Sequence, residues 1–247
     1  MLRIIVLGII AFIFLLSIYA ITSQVSSSKN TDLVNISKVK KEIIKEKEQI
    51  AKKLHPKKEA FLKVMVPIAT DVYKDLYFQY YNAKKHIETN STGKYIEDLK
   101  KEYKVKTDKE LLEALKPHPI SIALAQCAME SAWLTSRFAK EANNLFGVWS
   151  FDKNEPRIAA SGLRGDKTIY LKKYKNYYDS LKDYYKTISK SWAFKEFREK
   201  RLLTDDPFKL LPYLHKYSEQ KHEYPKTLEK VIRRNGFTKY DIKHEGL

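Results

Sequence analysis

The segment Ile120 to Glu141 (ISIALAQCAMESAWLTSRFAKE) constrains the fold of this chain more than any other stretch. Ala123, Leu124, Cys127, Ser131 and Leu134 form an apolar or small stripe at helical spacing, which predicts a helix buried over much of its circumference. Such a helix needs other elements packed around it, so the chain should be mainly helical. Glu130 lies beside the stripe, one turn from Gln126, Cys127, Trp133 and Leu134. A carboxyl held against an indole in a partly dry cleft has its charged form disfavoured, and its pKa should rise. A carboxyl that keeps its proton near neutral pH can act as a general acid. The competing reading is a surface glutamate paired with Arg137 or Lys140 on the same helix. The helix alone leaves both open.

Composition narrows the classes. The 247 residues are 43% apolar and 13% aromatic, which excludes global disorder. Cys127 is the single cysteine, so a disulfide scaffold, a zinc ribbon and an iron–sulfur cluster are excluded. Seven glycines argue against a glycine-rich phosphate-binding α/β enzyme. The six histidines are scattered and never form H-E-x-x-H, so no metal or other cofactor is expected. Cys127 lies on the buried stripe without a basic neighbour in sequence, as a packed thiol does. The net charge of +17 is mostly lysine spread along the chain. It fits a solvated surface or attraction to an acidic polymer or membrane, and no arginine-rich or basic–aromatic module points to nucleic acid.

Residues Ile4 to Ile21 carry no charge, and eighteen helical residues span roughly 27 Å, close to the hydrocarbon thickness. The exit Ile18-Tyr19-Ala20-Ile21-Thr22-Ser23 matches a signal-peptidase site poorly. The reading is therefore a signal anchor over residues 1–22, although Arg3 before the span and Lys29, Lys38, Lys40 and Lys41 after it speak against an exported body. Residues 23–56 read as a polar linker followed by an amphipathic helix from Val34 to Leu54, ended by His55-Pro56. From Lys57 to residue 240 the pattern is that of one domain. A helix over Lys57–Ile87 should kink at Pro67, with Phe61, Met65, Ile68, Val72, Leu76 and Tyr80 on its apolar face. Another spans Lys94–Tyr103, and Thr107-x-x-Glu110 has the capping-box pattern of a helix start. Pro117-His118-Pro119 breaks the chain before the buried helix. Arg157 to Tyr174 loses helical periodicity and predicts one β-hairpin, and helices return at Tyr178–Lys190, Ala193–Arg201, Pro207–His215 and Pro225–Arg234.

Ala125-Gln126-Cys127-Ala128-Met129-Glu130-Ser131-Ala132-Trp133, followed by Asn143-Asn144-Leu145-Phe146-Gly147, resembles the A-Q-x-A-x-E-S-x-W … N-N-L-F-G signature of glycoside hydrolase family 73. Within it, the chain is most similar to the Bax-type branch of Gram-negative bacteria. Tyr177 to Tyr184, Ala193 to Arg198, and Tyr217-Ser218-Glu219 with Tyr224 fall in the matching order, so the resemblance covers about Lys57 to Arg234. It implies a mainly helical α+β, lysozyme-like fold with one small β-hairpin lobe, preceded here by the single N-terminal transmembrane helix. It also implies hydrolysis of β-1,4 bonds after N-acetylglucosamine in peptidoglycan. Carried over, Glu130 matches the catalytic acid and Tyr217 the aromatic hydroxyl that faces it. Gln126, Trp133, Asn144, Phe146, Trp149 and Tyr224 become candidates for substrate binding, each equally readable as core.

Many members place a second carboxylate in the hairpin, whereas here Arg157-Ile158-Ala159-Ala160-Ser161-Gly162-Leu163 holds none. Asp166, or less readily Glu155 or Asp152, would have to serve; otherwise the substrate's own 2-acetamido oxygen would assist. A hydrolase of this kind settles the anchor's orientation, placing the body in the periplasm with residues 4–21 in the inner membrane. Alternatives on the same fold are a non-catalytic murein-binding scaffold and a muramidase or lytic transglycosylase.

Overall fold

A computed structural model describes residues 32–91, 93–164, 167–218 and 223–244. The chain divides into two units, Met1–Pro56 and Lys57–Leu247. The predicted apolar span 4–21 and most of the polar linker lie outside the described residues. Among the described residues no helix is long and apolar enough to cross a membrane.

The first helix, α1, is Asp32–Glu88. The predicted stop at His55-Pro56 is therefore corrected: helical backbone passes through it, and through Pro67 as well. Both prolines are exposed, and so is Lys63, whose carbonyl Pro67 leaves without a helical donor. Water can satisfy that carbonyl, which lowers the cost of an interior proline. Of the predicted face, Phe61, Met65 and Val72 are fully buried and are joined by Ala69 and Tyr73. Ile68, Leu76 and Tyr80 are half-buried.

Helix α2 is Gly93–Tyr103 and α3 is Asp108–Leu115. The capping box forms as expected: Glu110 N donates to Thr107 Oγ1 at 3.2 Å, and Thr107 N donates to Glu110 Oε2 at 3.0 Å. Ile96, Leu99, Tyr103, Leu111, Ala114 and Leu115 bury a small cluster of their own with Ala83 of α1.

Helix α4, Ile120–Glu130, is the centre of the larger core. Every residue from Ile120 to Ala128 is buried, and around it pack α1, Leu145, Phe146, Leu181, Tyr184, Phe197, Tyr224, Leu228, Ile232 and Phe237. No side chain of its own caps its N-terminus; instead Asp241 accepts from Ser121 N and Oγ, each at 2.7 Å. Helix α5 is Arg137–Ala142. The predicted hairpin follows as β1, Arg157–Arg164, and β2, Lys167–Lys172, antiparallel with Ile158 opposite Leu171. The register shifts between Ala159 and Leu163, a bulge that a sequence pattern does not reveal. Helices α6 (Tyr177–Lys190), α7 (Lys195–Leu203), α8 (Pro207–Leu210) and α9 (Glu223–Asn235) complete the body. Short 3₁₀ turns at Trp192–Phe194, Leu211–Tyr217 and Phe237–Tyr240 join or extend them. Among the described residues the architecture is mainly helical with one two-stranded sheet.

Candidate active site

The sequence pattern predicts one helix from Ile120 to Glu141, but the structure ends α4 at Glu130. Ala132, Trp133 and Leu134 have φ of 51°, 60° and 63°, a left-handed turn made of three non-glycine residues. Each such residue costs on the order of 1–2 kcal/mol, so the surroundings must hold it. They do so through Ser131, fully buried, whose Oγ donates to Cys127 O at 2.6 Å and accepts from Leu134 N at 2.9 Å. Trp133 supplies the second anchor, its indole edge-on to Phe61 at 5.3 Å and to Phe237 at 6.3 Å. Trp133 is thus a half-buried wedge set against Phe61 and Phe237. Ser131 and Trp133 stop the helix immediately after Glu130 and leave that carboxyl half-buried at its end. Arg137, the sequence's alternative partner for Glu130, pairs with Glu141 at 3.1 Å and donates to Ala159 O at 2.6 Å.

Beneath Glu130 lies a layer of aromatic hydroxyls. Tyr217 stacks on Tyr224 at 5.4 Å and meets Tyr184 edge-on at 6.3 Å, while Tyr184 stacks on Phe146 at 4.1 Å. Gln126 Nε2 donates to the Tyr224 hydroxyl at 2.9 Å, Tyr184 Oη donates to Gln126 Oε1, and His118 Nε2 lies 2.9 Å from Tyr184 Oη. Burial raises the Tyr224 pKa well above that of an ordinary phenol, and the charge of Glu130 adds to the effect. Burial likewise pushes up the Cys127 thiol, so it is a packed group rather than a thiolate nucleophile. Tyr224 and Phe146 expose 2% and 8% of their surfaces, and Gln126 and Asn144 none. These four candidates for substrate binding are therefore buried side chains, and Gln126, Asn144 and Tyr224 spend polar atoms on hydrogen bonds within the protein.

Asn144 shows what the N-N-L-F-G turn does. Its Nδ2 donates to Val148 O and to Lys172 O, each at 2.9 Å, and its Oδ1 accepts from Val148 N at 2.9 Å. One side chain thereby fastens the turn to β2. Asn143 takes the left-handed conformation that closes α5 (φ 50°), and its Nδ2 donates to Tyr174 O and Lys175 O. Trp149, 41% exposed and bridged by backbone to Leu171, is the most exposed of the aromatic candidates. Phe151, missed by sequence reasoning, is 84% exposed, its ring 6.2 Å from that of Trp149.

Asp166 lies outside the described residues. Glu155 pairs with Lys172 at 3.8 Å, and Asp152 Oδ1 accepts from Asn154 N at 2.8 Å. His118 and Tyr184 also escaped the sequence reading. The signal for His118 was its place between two prolines just before the buried helix, where a break was all that could be inferred.

A carboxyl at the end of a core helix, close to a layer of phenols, can deliver or hold one proton beside a bound polymer. The glucosaminidase model, described as mannosyl-glycoprotein endo-beta-N-acetylglucosaminidase, matches residues 105–237. The match spans more than half of the sequence, and the chain belongs to that family of glycoside hydrolases. Comparison with curated proteins gives no match. Among solved structures, the catalytic domain of the autolysin Auto from Listeria monocytogenes is 18% identical, with 75% of this chain and 88% of that one covered at a TM-score of 0.47. An N-acetylmuramoyl-L-alanine amidase from Staphylococcus aureus is 18% identical, with 77% and 45% covered at 0.46. The truncated glycoside hydrolase domain of FlgJ from Salmonella typhimurium is 17% identical, with 51% and 89% covered at 0.38.

Proposed function

We propose that this glucosaminidase cleaves the β-1,4 bond after N-acetylglucosamine in peptidoglycan strands, on a lysozyme-like fold, with Glu130 as the general acid. The observation that carries the reading is the placement of Glu130. It is the last residue of a helix otherwise buried from Ile120 to Ala128, and a left-handed turn cuts that helix off at this point. A carboxyl so placed is dry on the side of the helix and open on the side of a ligand. It can therefore protonate the leaving glycosidic oxygen as the bond lengthens. The Trp149 and Phe151 rings offer apolar faces to the flat faces of sugar rings.

With Glu155 tied to Lys172, the 2-acetamido oxygen of the substrate is the nucleophile we favour for the opposite face, with Tyr217 orienting it. Attack by that oxygen and then by water at the same carbon retains the anomeric configuration. An inverted product would reject this step. We further propose that residues 4–21 tether the enzyme to the inner membrane with its body in the periplasm, where the murein lies. The apolar span and the extracytoplasmic substrate support that arrangement.

Glu130→Gln tests the central claim. The variant should melt like the parent and lose at least a thousandfold in the rate of solubilising purified sacculi. Retention of a clearing zone would reject Glu130, and its absence in the parent would favour the binding-scaffold alternative. Mass spectrometry of the digest fixes the bond: reducing-end N-acetylglucosamine supports the assignment, and an anhydro-muramic end overturns it.

A further inference from the structure

Trp192 shows 81% of its surface to solvent, against 41% for Trp149. The backbone that carries it is nevertheless held from both sides. Ser191 closes α6, its N donating to Thr187 O at 3.0 Å, and its Oγ accepts from Ala193 N at 3.3 Å. Arg198 Nη1 donates to Ser191 O at 2.6 Å and to Ile188 O at 3.0 Å. Phe194, two residues further on, is buried. A fixed turn thus presents a large amphipathic ring to water, the arrangement by which tryptophan serves as a rigid anchor for a ligand. Two contacts say where the turn sits. The Lys216 ammonium lies 5.7 Å from the Trp192 ring centroid, a cation–π distance. The next residue, Tyr217, has its ring 6.0 Å from that of Phe194. The turn is therefore packed on the segment that carries Tyr217.

Resting on the reading that Tyr217 attends the reaction, we infer that Trp192 and Lys216 form a subsite for a carboxylate-bearing sugar of the glycan strand, away from the bond that is cut. The C–H face of a pyranose is apolar and stacks on an indole, while the ammonium beside the ring meets an anion carried by the same sugar. In murein that anion is the lactyl carboxylate where the strand is denuded, or a stem-peptide carboxylate where it is not. The chemistry at the patch is the same: an apolar face next to a negative charge. A neutral β-1,4 strand such as chitin offers the face without the charge, so Trp192 supplies affinity and Lys216 the preference. An anionic lipid surface offers both groups as well, but the packing of this turn on the Tyr217 segment favours the strand.

The test measures binding of three soluble probes to the full chain carrying Glu130→Gln: chitotetraose, a denuded murein tetrasaccharide, and the same tetrasaccharide with its stem peptides. Adding Trp192→Ala should weaken all three by about threefold to tenfold. Adding Lys216→Met should weaken only the acidic probes, by about twofold to fivefold at low salt, and the difference should fade near 1 M salt. Whichever acidic probe responds to Lys216→Met identifies the carboxylate that is read. With Glu130 intact, Trp192→Ala should raise KM for sacculi and leave kcat, as loss of uniform binding does. Its melting temperature should not move, because the ring is mostly in solvent, and this separates a lost contact from a lost fold. Equal affinity of the Trp192→Ala and parent proteins for all probes would overturn the inference. So would an equal loss on chitotetraose and the acidic probes in Lys216→Met, or weaker binding to phosphatidylglycerol vesicles with no change on any glycan. Solubilisation of sacculi by Glu130→Gln would instead sink the reading of the acid, and the KM comparison would still decide the subsite.

Discussion

The left-handed turn after Glu130 gives two neighbouring substitutions effects of opposite sign. Ala132 is exposed with φ 51°, so its methyl group touches little while its backbone sits where L-residues are disfavoured. Relief of the steric cost, about 1–2 kcal/mol, less the extra chain entropy of glycine, about 0.5–1 kcal/mol, leaves Ala132→Gly roughly 0.5–1 kcal/mol more stable. Ser131→Ala removes the oxygen that joins Cys127 O to Leu134 N inside the protein. One lost hydrogen bond and a buried amide without its acceptor cost about 2 kcal/mol together. At about 2–4 °C per kcal/mol for a domain of this size, the melting temperature should rise by a few degrees in the first variant and fall by about 4–8 °C in the second. The double variant should recover part of the loss. Differential scanning calorimetry with a sacculus assay reads both effects, and Ala132→Gly should retain activity while Ser131→Ala, with Glu130 displaced, should not. A destabilised Ala132→Gly protein would refute the turn, because glycine is penalised in an ordinary helix and favoured only at positive φ.

Two further outcomes follow from the fold. Burial raises the Asp241 carboxyl to about 6 in spite of its two bonds from Ser121. A carboxyl raised on folding stabilises most below its unfolded value, and that contribution is lost as pH rises from about 4 to about 6. Relative to Asp241→Asn, the parent should therefore lose stability across that window, and urea midpoints at pH 4 and 7 measure it; a constant difference would contradict the assignment. Asn144→Ala takes the acceptor from Val148 N and one donor each from Lys172 O and Val148 O, the last of which keeps its bond from Lys172 N at 3.0 Å, at a cost of about 2 kcal/mol. Hydrogen exchange should quicken first at Val148, and equal protection in variant and parent would contradict the fastening role.

Local chemistry accounts for what could be read without coordinates. Thr107 and Glu110 form their capping box because both partners lie within four residues, and Ile120 to Ala128 are buried because almost no polar atom there could reward exposure. The hairpin, too, lies where helical spacing fails. Glu130 stood out because an acid beside a stripe of small residues is costly unless it has a use.

The rest depended on packing between distant segments. Three residues in the left-handed region are held by Ser131 from within the segment and by Phe61 and Phe237, which flank Trp133 from distant parts of the sequence. Pro67 stays within a helix because its exposed side lets water take the carbonyl it frees. The burial of Gln126, Phe146 and Tyr224 turned on the positions of Tyr184 and Tyr217. The sequence alone determined which residues are apolar, which can cap or turn, and where the one suspicious carboxyl stands. Only the tertiary structure decided what each side chain faces, since contacts across a hundred residues follow from how helices pack, and a periodic pattern holds no record of its partner.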